Sequence, residues 1–268
     1  MNMRPVKSVL TPERTGRLAA WTLGIIAWQV IAWRYPRVPS MADTVTFMSV
    51  EARSGALLDN LIPTLGRLAA GQGAAIVVGI TLGILIGSIP VFRSLFGDLV
   101  TVALALPAFV WALLGALWFG FGWRGPVLAV FLSALPFIAV NVANGAAGIS
   151  APLRQMTSSF GVSRTRSLRD LVIPAVTPNI VAGIRLSTVI AWNAVLISEW
   201  FSSRIGVGHR ARYWYDANNF DGFIAWAVLF IALILIVDRV VLERLSRRAF
   251  QWRPQDAQET SDRTVVAV

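Results

Sequence analysis

Four residues in one apolar run carry side chains that a lipid bilayer does not tolerate idly: Arg185, Trp192, Asn193 and Glu199. A charge or an amide at membrane depth is expensive unless it faces protein or water and finds a partner. Arg185 and Glu199 have opposite signs, yet on one helix they stand roughly 21 Å apart at about 1.5 Å per residue, too far to pair with each other. Each is therefore expected either to anchor a neighbouring helix by hydrogen bonds or to line a solute path, with Trp192 and Asn193 between them. Arg67 falls near the end of another apolar run, where its long stem can snorkel to water. Asp98 and Asp238 are expected at helix ends, reaching the interface.

Other chemistries fail on residue counts. The only lysine is Lys7, so no G-x-x-x-x-G-K-[ST] phosphate loop exists and the chain cannot hydrolyse nucleotide by itself. His209 is the single histidine and there are no cysteines, which excludes a histidine or thiolate metal cluster and any disulfide. A serine protease would need a histidine at membrane depth, and His209 falls in a connecting segment. The sequence "GQGAA" lacks the strand and βαβ unit that a dinucleotide fingerprint requires. No catalytic residue, metal site or cofactor is expected in this chain.

A second polar feature is compact: "SSFGVSRTRSLRDLVIPAVTP", residues 158–178, gathers Arg164, Arg166, Arg169 and Asp170 between apolar stretches. Pro152 suits the start of a helix, Gly161 a left-handed ending, and Ser163 the cap of a second helix. That second helix is expected to run to about Ile173, where Pro174 and Pro178 would redirect the chain. A polar helix–turn–helix without catalytic groups is suited to docking and to passing motion to the rest of the molecule.

The elements that must position these residues are transmembrane helices. With 56% hydrophobic and 14% charged residues the chain falls outside soluble composition, and several runs approach the length that spans a bilayer. The predicted helices are Leu18 to Trp33, Leu61 to Ile89, Asp98 to Phe119, Pro126 to Gly148, Asn179 to Trp200 and Phe220 to Val241. The first resembles a signal peptide but lacks a small-residue cleavage site, so it is expected to remain. Pro107 and Pro136 should kink the third and fourth helices. Most tryptophans fall near predicted interfaces, where indoles anchor. In the second helix Gly71, Ala75, Gly79, Gly83 and Gly87 recur every fourth residue, a stripe that lets another helix approach closely, in the same subunit or across an interface.

Basic residues assign the orientation. Fifteen fall before the first helix, at Arg93, between the fourth and fifth helices, and from Arg239 onward, whereas seven fall on the other side. By the positive-inside rule both termini and the 158–178 segment are cytoplasmic, with Arg185 toward the inner face and Glu199 toward the outer mouth. The charge is thus topological and does not signal nucleic acid.

Here a resemblance appears. The segment is similar to the cytoplasmic coupling loop of binding-protein-dependent ABC importer permeases, whose pattern is E-A-A, three residues, G, nine residues and I-x-L-P. Gly161 holds the glycine position, and Leu171, Ile173 and Pro174 close the pattern as "LVIP". "GIRLSTVIAWNAVLISEWFSSRIGVG", with Gly183, Arg185, Trp192, Glu199, Gly206 and Gly208, resembles the stretch that follows in the nitrate, sulfonate and taurine branch. "LGRLAAGQGAAIVVGITLGILIG" and "LPAFVWALLGALWFGFG" resemble that family's core helices, so the likeness covers about residues 60 to 250. The leading E-A-A departs, falling on Gln155, Met156 and Thr157.

The resemblance implies an all-α membrane protein of about six transmembrane helices, with a type I ABC importer permease-like bundle and a cytoplasmic coupling helix. It implies that the loop from Leu153 to Leu171 docks on a separate cytoplasmic ABC ATPase dimer, which holds the ATP and Mg. Gln155, Thr157, Ser158, Phe160, Gly161, Arg164, Arg169 and Pro174 are its coupling candidates. It implies a second permease copy, a homodimer, and an extracytoplasmic solute-binding protein that meets Ser202 to Asn219, where Arg204, Arg210 and Arg212 could face acidic groups. The expected solute is a small anion or a small heterocyclic precursor. An ion-coupled secondary transporter or channel, or a scaffold, stays open as an alternative. The organisation expected is residues 1–60 as N-terminal segment, first helix and outer loop; 61–250 as permease core with a coupling loop at about 150–174; and 251–268 as a disordered cytoplasmic tail in an inner-membrane, multi-pass protein surrounded by membrane lipid.

Overall fold

The computed structural model describes residues 12–237 and 239. The tail at 251–268, Asp238 and the far end of the sixth predicted helix lie outside the described residues. Every regular element among the described residues is helical: α1 (Pro12–Arg34), α2 (Met41–Arg53), α3 (Ala56–Ser88), α4 (Pro90–Ala105), α5 (Ala108–Phe119), α6 (Arg124–Ala147), α7 (Ala151–Ser159), α8 (Arg164–Ser167), a π-turn (Leu168–Val172), α9 (Ile173–Ser202), α10 (Val207–Asp216) and α11 (Phe220–Val237). Among the described residues four stretches are long and apolar enough to cross a membrane: α3, α6, the continuous helical path Arg164–Ser202, and α11. The α4–α5 pair makes a fifth if it is one broken span.

The first predicted helix is present as α1, which extends beyond the expected Leu18 to Trp33 at its start. Two other expectations are corrected, on the third predicted helix and on Asp98. The third is not one kinked helix from Asp98. It begins at Pro90 and breaks at Leu106 and Pro107, where α4 and α5 meet at 98°. The proline ring forces the preceding residue out of helical conformation, and Leu106 accordingly has ψ 126. Asp98 therefore sits midway along α4, on its exposed side, and not at a helix end. Pro136, by contrast, stays inside α6.

The described residues fall into two compact units, 12–57 with 211–228 and 58–210 with 229–237. In the first, Ser40 caps α2 through a capping box with Asp43. The Ser40 hydroxyl and N–H both donate to Asp43, which holds that carboxyl below its ordinary pKa. Glu51 is buried and accepts from Trp226 Nε1 at 3.1 Å. Phe47 packs edge-on against Trp214 at 5.1 Å.

In the second unit α6 and α9 pack along their lengths, with α5 against both. The glycine stripe of α3 is spent within this unit. A Cβ at Gly71 would meet Val130 at 2.6 Å, one at Gly79 would meet Ile138 at 2.9 Å, one at Gly83 the Ala139 carbonyl at 2.7 Å, and one at Gly87 the Ala143 carbonyl at 2.5 Å. Each successive turn of α3 thus lies against the next turn of α6. Small residues line the other side as well: Ala129, Ala134 and Ala139 on α6 and Ala191 and Ala194 on α9 are fully buried. Without a hydrophobic driving force between helices in lipid, this close contact is what gives the unit its dispersion energy.

Candidate functional site

The polar segment folds as the helix–turn–helix its residues predict. α7 ends where Val162 N–H reaches back to the Thr157 carbonyl at 3.0 Å, a Schellman-type closure that needs a left-handed residue between. Gly161 supplies it, with φ +62. Ser163 then caps α8, its hydroxyl accepting from Arg166 N–H. The element is tied to the core from inside: Arg154 donates through its guanidinium to the Ala146 carbonyl at the end of α6. Outward it shows an apolar ridge, Leu153, Met156 and Phe160, with Phe160 79% exposed at the tip. Gln155, Arg164 and Arg169 are also exposed, Thr157 is half-buried and donates to the Arg154 carbonyl, and Ser158 lies within α7. Arg166 is taken by Asp170 in an exposed i,i+4 pair at 3.3 Å.

Pro174 and Pro178 do not redirect the chain, a correction to the sequence reading. The backbone widens into the π-turn 168–172, where Ile173 N–H bonds the Leu168 carbonyl five residues back. Pro174 then stands in the first turn of α9, where its missing N–H needs no partner, and the helix runs on through Pro178 to Ser202. The helix–turn–helix therefore runs without a break into a span.

The four polar residues of α9 separate. Arg185 and Asn193 lie on its exposed side, Asn193 donating to its own helix at the Val189 carbonyl. Trp192 is buried and meets Phe230 edge-on at 5.3 Å. Glu199 is fully buried and is the centre of a polar clamp. Its carboxylate receives Arg67 at 2.6 Å, the Thr64 hydroxyl at 2.9 Å and the Gly208 N–H at 2.9 Å. Arg67 also donates to the Ile205 carbonyl at 2.7 Å and lies over the Trp123 ring. Thr64 accepts from Val207 N–H, and Asn60 accepts from Gly206 N–H at 2.8 Å.

Arg67 thus does not snorkel. It is 2% exposed, because a buried carboxylate one helix away offers more than the interface does. Gly206, at φ +125, has its missing Cβ within 2.5 Å of the Glu199 carboxylate, and a Cβ at Gly208 would meet the Leu196 carbonyl at 2.4 Å. The two glycines let the loop close over the charge. Sequence reading missed Asn60, Thr64 and Arg67 as a set, although their spacing of four and three residues marks one polar helix face. A smaller buried contact, Gln72 Nε2 donating to Ser187 Oγ at 2.7 Å, was also missed.

Residues 76–250 match the family described as binding-protein-dependent transport system inner membrane component. A putative ABC transporter permease protein of Methanocaldococcus jannaschii is 29% identical over 252 residues, covering 91% of this chain and 94% of its own. The taurine transport system permease protein of Escherichia coli is 24% identical over 196 residues, covering 73% and 71%. Among solved structures, an inward-facing MetNI methionine ABC transporter chain superposes with a TM-score of 0.64 at 17% identity, over 74% of this chain and 98% of that one. That likeness is one of fold.

Proposed function

The chain belongs to the inner membrane components of binding-protein-dependent transport systems, the permease subunits of ABC importers, and from that premise we propose how it works. The helix–turn–helix 151–172 seats on a separate cytoplasmic ATPase, which supplies ATP and Mg chemistry that this chain lacks. Both termini and this element face the cytoplasm. Two copies of the chain enclose the path, and an extracytoplasmic binding protein delivers the solute to outer segments that include Arg204 and Arg210. Arg185 and Asn193, exposed on α9, face that path, and the solute is a small anion of the taurine or sulfonate kind. The taurine relative and the exposed arginine both support an anion.

One observation carries the reading: a capped, core-anchored element presents Phe160 and a basic rim with nothing among the described residues to cover them. An apolar tip held rigidly outside the fold is an interface. It continues without a break into α9, so displacement of the element moves the span and, with it, the clamp at Glu199. Purification of the chain from its native membrane should recover an ATPase in fixed ratio. Replacing residues 153–171 by a glycine–serine tether should abolish both that recovery and solute-stimulated hydrolysis. Transport that persists with the tether would end the proposal, and transport driven by an ion gradient without nucleotide would replace it with a secondary transporter.

A further inference from the structure

Between α3 and the helix–turn–helix lies a groove of about 460 Å³, which shares Thr157 and Arg164 with the coupling candidates but not the exposed Phe160 tip. Its floor is aliphatic, built from Ile84 and Leu85 of α3, Ile89 just beyond its end, and Leu168, Leu171 and Val172 of the π-turn. Its rim carries Arg154 and Arg164 and no carboxylate. Arg164 makes no ion pair among the described residues, because the one acid of this segment, Asp170, is held by Arg166. Ser88 also lines the groove, and its hydroxyl is sealed from solvent without a hydrogen-bond partner among the described residues. The floor does not end at the groove. Val77, Val78 and Thr81 continue it along the same face of α3, opposite the glycine stripe, and all three are exposed. Thr81 presents its methyl there, since its hydroxyl is spent on the Val77 carbonyl at 2.8 Å.

We infer that this groove binds an anionic phospholipid of the cytoplasmic leaflet: the phosphodiester sits between Arg154 and Arg164, and an acyl chain lies along α3 toward Val77. Two guanidinium groups beside an aliphatic trough at a helix end match both halves of that ligand. A soluble phosphate would use the rim and leave the trough empty. Bound there, the lipid bridges α3 and the docking element, so membrane composition sets how firmly that element is held. The leaflet assignment rests on the orientation proposed above; the chemistry of the groove does not.

The test is native mass spectrometry of the assembled transporter after exchange into mixed phosphatidylglycerol and phosphatidylcholine nanodiscs and extraction in mild detergent. Wild type should retain phosphatidylglycerol. Arg164→Gln should retain roughly tenfold less, from loss of one charge-assisted contact, and Arg164→Lys should recover part of it. Arg169→Gln removes the same charge outside the groove and should retain as much as wild type. Equal losses in Arg164→Gln and Arg169→Gln, equal retention in all four proteins, or displacement of the lipid by millimolar inorganic phosphate would each overturn the inference. Orientation is checked separately by Ser159→Cys, in a chain with no natural cysteine, which an impermeant maleimide should label only in inside-out vesicles. Labelling from the other side would refute the leaflet while leaving the retention result to stand or fall alone.

Discussion

Glu199→Gln is the most informative single change, because it preserves shape and removes one charge from a sealed site. The amide oxygen can still accept from Thr64 and Gly208, so the loss falls on Arg67, left as a 2%-exposed guanidinium with only the Ile205 carbonyl and the Trp123 ring. Breaking one side of a buried ion pair typically costs about 3–5 kcal/mol. For a chain of this size that corresponds to a fall in thermal midpoint of roughly 6–20 °C. Arg67→Met should cost a similar amount, since it strands the carboxylate. The double variant Arg67→Met with Glu199→Gln leaves neither charge buried and should melt above either single one, with a coupling free energy of about 2 kcal/mol. Fluorescence-monitored melting of the detergent-purified protein measures all four corners. Singles within about 2 °C of wild type, or a double that is merely additive, would show that the pair is not a stability-determining contact and that the loop at 205–208 is held by its other hydrogen bonds.

Two further predictions probe glycines for different reasons. Gly83→Val should prevent the α3–α6 approach and lower the yield of folded protein sharply, because its Cβ would stand 2.7 Å from the Ala139 carbonyl, whereas Gly73→Ala has open space and should leave the melting point unchanged or raise it slightly. Equal effects at the two positions would contradict the packing account. Gly161→Val forces a branched side chain into a left-handed residue at a local cost of about 1–2 kcal/mol, so it should impair ATPase stimulation while the span region melts normally. Gly161→Asn should retain more stimulation than Gly161→Val, and the reverse order would argue that the turn conformation is not what matters.

Much of this molecule was legible in its residues because membranes allow few solutions. Apolar runs without period-two patterning can only be helices, and the basic segment with Pro152, Gly161 and Ser163 spelled its own helix–turn–helix in local backbone terms. The four-residue glycine spacing likewise announced a close helix contact. What it contacted was not written there: the stripe could equally have served a subunit interface, and only the tertiary fold laid it on α6. Proline was ambiguous for the same reason. Pro107 breaks α4 from α5, while Pro136 and Pro178 stay within helices and Pro174 hides in a first turn, because neighbouring carbonyls and the π-turn decide whether a missing N–H is tolerated. Arg67 and Glu199 lie 132 residues apart in the chain. Arg67 alone reads as an interfacial charge and Glu199 alone as an anchor without a named partner, and their pairing exists only once α3 and α9 are side by side: composition and spacing determine which groups must be satisfied, and the fold alone determines by whom.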